Sequence, residues 1–153
     1  MKSKKFNFNS FALANKEKKV SGLDYLQIVY KSEELDSDFI LWFARLFYPK
    51  FKVVDGMVFI SELFDSEHYK ETLNNNCSKE KVQYWLNLLE ITGLFDDLAT
   101  QDAMNFAEYL TSLWNLKLHN EFPETQISAR TIYDTETDEV FVTIDHNTIP
   151  IHP

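Results

Sequence analysis

The longest regular pattern in this 153-residue sequence runs from Ser78 to Glu121 and reads SKEKVQYWLNLLEITGLFDDLATQDAMNFAEYLTSLWNLKLHNE. Apolar residues recur in it at three- and four-residue spacing, which is the period of a helix with one buried face. The pattern predicts two amphipathic helices, the first beginning at Ser78 and ending at Gly93, the second beginning at Thr100. Each carries a tryptophan on its apolar stripe. The short spacer of residues 94–99 favours an antiparallel pair.

Two hairpins are predicted on either side of these helices. In the first, Asp55-Gly56 joins the strand segments 51–54 and 57–60. An Asp-Gly pair supplies the positive φ angles that a two-residue type I′ turn requires. The second hairpin pairs residues 127–133 with residues 140–144 around an acidic turn. Apolar residues alternate in its second strand, so one face is predicted to pack on the helices.

Further helices are predicted upstream. One begins at Asp36 or Ser37 and ends before Pro49. Another spans Ser61–Leu73, either in one piece or in two pieces with Asp65 or Ser66 capping the second. The segment Leu23–Tyr30 satisfies neither the helix nor the strand period and stays open between them. The apolar stripe of the first of these helices is predicted to lie in the core and consists of Phe39, Trp42, Phe43 and Phe47. The predicted fold class is α+β, with about four helices packed on a small, mostly antiparallel sheet formed by two hairpins.

Charge is distributed unevenly along the chain. Six of the 15 Lys and Arg residues lie in residues 1–20 beside one of the 24 Asp and Glu residues. That segment therefore has a net charge of +5, and residues 21–153 have a net charge of −14. Together they give the −9 of the whole chain. This predicts a basic, partly mobile N-terminal arm over residues 1–20 and a single acidic domain over residues 21–153. Because an acidic surface repels phosphates, direct nucleic-acid binding is disfavoured.

The sequence lacks the signatures of several classes of protein. With only three glycines, the chain has no Gly-rich loop of the kind that cradles phosphates. No apolar run reaches the length of a membrane span, so no membrane association is predicted. The single cysteine, Cys77, excludes an internal disulfide and indicates a reducing, cytoplasmic compartment.

Candidate reactive groups are few. The best set of metal ligands is Asp145 with His146 and His152, and a tail of this composition is seldom a site. Cys77 precedes a helix start, where a thiolate can be stabilised, but a position beside the cap residue Ser78 with no chemical role is the favoured explanation. Paired carboxylates lie in loops and at helix starts, where capping and solvation explain them. The prediction is no catalytic residue, no metal and no cofactor.

A compact acidic domain without catalytic apparatus is most readily explained as a binding protein. Its size, acidity and α+β pattern resemble the immunity proteins that bacteria carry against their own polymorphic or contact-dependent growth-inhibition toxins. The resemblance implies a cytoplasmic inhibitor that binds a basic, nuclease-like toxin domain and occludes its nucleic-acid-binding cleft. These families share no motif, so the resemblance assigns no contact residue.

The acidic loops are the predicted partner-binding residues, because they would complement a basic partner. They are Glu33, Glu34, Asp36, Asp38, Glu62, Asp65, Glu67, Asp96, Asp97, Asp134, Glu136, Asp138 and Glu139. Two alternatives remain open. One is a small enzyme whose site is dispersed in the sequence, which a deep pocket with a shifted pKa would favour. The other is an adaptor or structural subunit of a homo-oligomer, which an exposed apolar patch would favour.

Overall fold

A computed structural model describes residues 6–146. Its helices are α1 Phe8–Ala14, α2 Gly22–Ser32, α3 Ser37–Phe47, α4 Ser66–Asn74, α5 Lys79–Leu86, α6 Ile91–Leu94 and α7 Thr100–Glu121. Its strands are β1 Phe51–Val54, β2 Met57–Ile60, β3 Leu89–Glu90, β4 Ser128–Asp134 and β5 Glu139–Asp145. The α+β class is confirmed. The described residues contain seven helices instead of about four, and two antiparallel sheets of two and three strands.

The chain divides into two compact units, Met1–Trp42 and Phe43–Pro153. In the N-terminal unit, α1 and α2 both begin with a capping box. In each box the side chains of two residues, three apart, accept a hydrogen bond from each other's backbone amide. Their contact is aromatic, with the rings of Phe6, Phe8 and Phe11 around that of Tyr25. The segment whose period was ambiguous is thus helical. The arm predicted over residues 1–20 contains α1, while Lys2, Lys4 and Lys5 lie outside the described residues.

The C-terminal unit begins with the predicted Asp-Gly hairpin. Strands β1 and β2 pair in register from Phe51 with Ile60 to Val54 with Met57. Asp55 has a φ of 51° and Gly56 a φ of 81°, as a type I′ turn requires. This prediction is confirmed at every residue of the hairpin.

The larger sheet has the strand order β3-β5-β4. The predicted acidic hairpin forms its two long strands, from Ser128 paired with Asp145 to Asp134 paired with Glu139. Its third strand was not predicted: Leu89 and Glu90 pair with Val142 and Phe141 of β5. The first helix of the long pattern therefore ends at Leu86 and not at Gly93, because the following residues leave the helix to join the sheet.

Two further features of the predicted helix pair are wrong. Trp85, expected on the buried stripe, is 59% exposed, because the helix turns Val82, Gln83 and Leu86 inward instead. The two helices also pack on opposite faces of the sheet and not against each other. Residues Val140, Val142 and Ile144 of β5 join the core formed with α7, whereas the intervening Thr143 donates a hydrogen bond to the carbonyl of Tyr84 in α5.

Helix α7 is the longest element, and its predicted position is confirmed. Its buried face carries Ala103, Ala107, Leu110, Trp114 and Leu118, and these side chains pack with β5 in the main core. The Trp114 indole N–H donates to the carbonyl of Leu46 at 2.6 Å, so the ring is buried without losing its hydrogen bond.

The helix α3 begins as predicted, with the Asp36 carboxylate accepting from the amide of Asp38 at 2.9 Å. Only part of its predicted core stripe is buried. Phe43 and Phe47 pack with the rings of Phe95 and Phe106, whereas Phe39 and Trp42 are exposed. Of the two pieces allowed for Ser61–Leu73, the second is present, since α4 begins at Ser66 and Asp65 caps it, whereas residues 61–63 form a turn. Within residues 6–146, no helix combines the length and apolar character that spanning a membrane requires.

Candidate functional site

The turn between β4 and β5 holds four of the predicted partner-binding residues, Asp134, Glu136, Asp138 and Glu139. The Asp134 carboxylate accepts from the backbone amides of Glu136 at 2.8 Å and Thr137 at 3.4 Å. The Thr137 hydroxyl donates to Glu139 at 2.8 Å, and Asp138 takes a left-handed φ of 59°, which Asp tolerates better than most residues. Local hydrogen bonds therefore fix how this turn presents its carboxylates.

Asp138 connects the turn to the start of α7. One carboxylate oxygen accepts from the Tyr133 hydroxyl at 2.7 Å and the other from the Thr100 hydroxyl at 2.9 Å. These two donors, Tyr133 first, lower the pKa of Asp138, and the same bond raises the pKa of Tyr133. Asp138 is thus a fixed anion with a structural role, and its neighbours in the turn carry the charge that remains available.

A second acidic segment meets the turn from α6 and the spacer that follows it. The Thr92 hydroxyl accepts from the amide of Val140, and Glu90 pairs with Phe141 on the edge of the sheet. Gly93 leaves room for the Glu90 carboxyl group, whose carbon lies 2.8 Å from where a Cβ would stand. The spacer carrying Asp96-Asp97 then leads directly into α7.

We call the region formed by residues 90–102 and 133–140 the acidic end. Its two segments contain eight Asp and Glu residues and no Lys or Arg: Glu90, Asp96, Asp97, Asp102, Asp134, Glu136, Asp138 and Glu139. Two of the eight were not among the predicted site residues. Glu90 falls inside the first predicted helix and Asp102 in the first turn of the second, so local sequence does not indicate that they contribute to a shared surface.

The remaining predicted residues lie outside these two segments. Glu33, Glu34 and Asp36 lie between α2 and α3, and Asp38 lies in the first turn of α3. All four belong to the N-terminal unit. Asp65 caps α4 by accepting from the amides of His68 and Glu67, and these bonds lower its pKa. Together with Glu62 and Glu67 it follows Ile60, whose partner Phe51 contacts Phe122 just beyond the C-terminus of α7. Glu62, Asp65 and Glu67 therefore do not belong to the acidic end.

A polar cluster that the sequence did not reveal joins the two sheets. The Asn87 side chain accepts from the amide of Ile60 at 2.8 Å and donates to the carbonyls of Val58 at 3.0 Å and Ile144 at 3.2 Å. Gln83 also donates to Val58 and contacts Nδ1 of His146 at 2.7 Å. Asn87 and Gln83 are fully buried, so these amides act as connectors between strands and not as exposed binding groups.

An ion pair lies beside this cluster. The Arg130 guanidinium is 2.6 Å from the Asp145 carboxylate, which is 1% exposed, and it lies 5.4 Å from the centre of the Tyr84 ring. Burial raises the pKa of Tyr84, Arg130 opposes this and Asp145 adds to it. Asp145 is thus engaged with Arg130 and His146 with Gln83, while His152, the third predicted metal ligand, lies outside the described residues.

An enzyme would need groups such as metal ligands, a carboxylate with a raised pKa or a reactive thiol. Within residues 6–146, no group of three or more His, Cys, Asp and Glu side chains could hold a metal ion. The carboxylates with resolved shifts, Asp24, Asp65 and Asp138, all have lowered pKa values because they accept hydrogen bonds, so they are anions at neutral pH. Cys77 is partly buried against the smaller core of Phe59, Tyr69, Val82 and Leu86.

Comparison with known proteins identifies no relative of this chain: no family model, no curated protein and no solved structure matches it.

Proposed function

We propose that this chain is a non-catalytic binding protein for a basic protein partner and that its acidic end makes the contact. One observation carries the proposal: two acidic segments distant in sequence meet at one end of the C-terminal unit, and their sequences contain eight Asp and Glu residues and no Lys or Arg. Bringing like charges together opposes folding. A partner that neutralises them gives a reason for the arrangement.

The specific form that we propose is an immunity or inhibitor protein of the bacterial cytoplasm that neutralises a basic, nuclease-like toxin domain. The acidic end would occupy the positions of nucleic-acid phosphates over the toxin's basic cleft, so that substrate is excluded. Tyr133 and Leu94 are exposed beside the carboxylates and supply apolar contact area of the kind that anchors interfaces. Occlusion requires no chemistry from this chain.

Association driven by charge has a characteristic rate and salt dependence. A field of one sign speeds encounter with an oppositely charged partner, and this acceleration declines as salt screens it. We therefore expect fast association at low ionic strength and a steep loss of rate as salt is added.

Affinity capture from the source cells tests the proposal directly. The tagged protein is used as bait at about 0.05 M and about 0.3 M salt, conditions that differ about twofold in screening length. Mass spectrometry of the bound fraction should reveal one stoichiometric basic protein, whose activity is suppressed until it is released. Recovery of the bare protein at both salts would overturn the proposal.

Matched charge-reversal variants then test the acidic end. Asp96→Lys with Glu136→Lys changes the charge by the same amount as Glu62→Lys with Glu71→Lys, and all four residues are exposed. The first pair should slow association with the captured partner by about tenfold at low salt, and the control pair by much less. Equal slowing by both pairs would show that the partner responds to net charge and not to the acidic end.

A further inference from the structure

The outward face of α7 carries a second apolar stripe, opposite the one that forms the core. Tyr109, Leu113 and Leu116 are 69%, 41% and 65% exposed. Their spacing of four and three residues places them in line along one side of the helix. We call these three residues the outer stripe.

An amphipathic surface helix normally turns polar residues to solvent. Helix α7 departs from this pattern, because Leu110 and Trp114 are buried on one side while the outer stripe exposes three large apolar side chains on the other. Contiguous exposed apolar groups on a rigid element are characteristic of an association surface. The outer stripe is therefore a candidate surface for contact with another protein chain.

The residue order along this face is nearly symmetric about its middle. Reading outward from Ser112 and Leu113, Tyr109 and Leu116 are the first large side chains, and Asn105 and Asn120 follow them. An antiparallel second copy of α7 would therefore place Tyr109 against Leu116 of that copy, and Asn105 against its Asn120. Such self-complementarity is what a two-fold interface requires.

The flank of the stripe agrees with the same arrangement. Glu108 and His119 lie on one side of it, at opposite ends, and both are exposed. In a two-fold antiparallel pair the same flanks of the two helices face each other, so the Glu108 carboxylate would approach the imidazole of the second copy's His119, and this contact occurs twice. A parallel two-fold pair would place the two Glu108 side chains on opposite flanks of the interface and would bring neither of them to His119 of the other copy.

We propose that the outer stripe is a self-association surface, through which two copies of this chain pair antiparallel along α7 in a closed dimer. Three side chains and their flanks bury less than the roughly 800 Å² per partner of a standard interface, so the dimer is weak, with a Kd on the order of micromolar. The net charge of −9 on each copy opposes pairing. Salt therefore tightens this dimer, whereas it weakens binding to a basic partner.

Sedimentation equilibrium over a range of concentrations tests the pairing. The wild-type chain should show a monomer–dimer equilibrium that shifts toward dimer as salt is raised. Leu116→Glu, which would place a charge in the interface, should raise the Kd at least about 100-fold. Val53→Glu puts the same charge at an exposed apolar residue outside α7 and outside the acidic end and should leave the Kd within about twofold. A wild-type chain that stays monomeric at about 1 mM, or that forms open-ended oligomers, would overturn the proposal.

Cysteine cross-linking tests the orientation. In a Cys77→Ala background, oxidation should cross-link Leu113→Cys to itself, because this position lies near the two-fold axis. Tyr109→Cys should cross-link to Leu116→Cys in a mixture but not to itself, since the two Tyr109 positions would be displaced by about 10 Å along the helix, beyond disulfide reach. Self-cross-linking of Tyr109→Cys without the mixed product would show parallel pairing and reject the proposed geometry. These assays need no basic partner, so their failure and that of the proposed function are distinguishable.

Discussion

The Asn87 side chain makes three hydrogen bonds in the region between the two sheets. It is fully buried and bonds to Ile60 and Val58 of one sheet and to Ile144 of the other. In this position a side-chain amide substitutes for the backbone pairing that two separate sheets cannot make with each other. Because each bonded group lies away from water, removing the amide leaves these groups without a partner.

Replacing Asn87 tests this role. Asn87→Ala leaves the Ile60 amide and the Ile144 carbonyl unsatisfied and should lower the free energy of unfolding by about 2–4 kcal/mol. Asn74→Ala, at an exposed asparagine near the end of α4, serves as the control and should change stability by less than about 0.5 kcal/mol. Urea titration of both variants measures the difference. Equal small effects would show that water or a relaxed backbone replaces Asn87.

Tyr69 provides a pH-dependent contribution to stability. Burial, and then the hydrogen bond that its hydroxyl donates to Asp55 at 2.8 Å, raise the pKa of Tyr69 to about 12. Since the unfolded value is about 10, the neutral phenol favours the folded state below pH 10, and this stabilisation is lost as the pH rises toward 12. Urea titrations at about pH 9 and pH 11.5 should show a smaller loss for Tyr69→Phe than for the wild type, by about 2 kcal/mol. Parallel losses would contradict this role of Tyr69.

What the sequence revealed at this scale depended on the kind of residue. Asp55 and Gly56 announce their turn because few residues adopt positive φ, and the local rule suffices. Asn87 lies between Leu86 and Leu88. Nothing in the neighbouring sequence distinguishes a buried asparagine that connects two sheets from a solvated helix residue. Its partners lie 27, 29 and 57 residues away, so only the folded chain identifies it.

Among the elements, β4 is an edge strand whose exposed backbone is covered at Ala129. The Asn115 side chain of α7 accepts from the amide of Ala129 at 2.7 Å and donates to its carbonyl at 2.9 Å. These two bonds reproduce those of a neighbouring strand. Covering an edge in this way hinders pairing with another chain.

Asn115→Leu removes the cover while keeping the side-chain volume similar. We expect stability to fall by about 1–2 kcal/mol and the Ala129 amide to exchange with solvent faster, whereas the Val142 amide inside the sheet keeps its protection. Hydrogen exchange followed by NMR resolves the two sites. Unchanged protection at Ala129 would mean that its amide is shielded by something other than Asn115.

The same scale shows where sequence periodicity succeeds and fails. The α7 pattern predicted its helix correctly because the helical period continues for 22 residues. In the preceding stretch, Leu88, Leu89 and Ile91 extend the spacing of α5, but Leu88 lies in the connection after the helix, Leu89 belongs to β3 and Ile91 to α6. A two-residue strand that pairs only with distant β5 leaves no period of its own, so a helix was predicted through it.

For the molecule as a whole, acidity was predictable from composition, but its placement was not. The sequence supplied thirteen candidate carboxylates without a way to group them. The fold unites two of their segments because the acidic turn bonds to Thr100, while α6 bonds to β5 through Thr92. It leaves the others in the N-terminal unit or beside α4. The acidic end therefore concentrates repulsion that the fold must tolerate.

This crowding predicts that removing charge from the acidic end stabilises the protein. Asp96→Asn with Glu136→Gln relieves repulsion without adding bulk and should raise stability by about 0.5 kcal/mol, or about 1–2 °C in Tm for a chain of this size. The gain should be largest at low ionic strength and vanish near 1 M salt, where the screening length is about 3 Å. Glu71→Gln on α4 removes a charge outside the acidic end and is the control. Thermal unfolding at both salts measures the effect.

A stabilised variant that also binds the basic partner more slowly would indicate that these carboxylates are kept for binding at the expense of stability. A destabilised variant would mean that they support the fold itself.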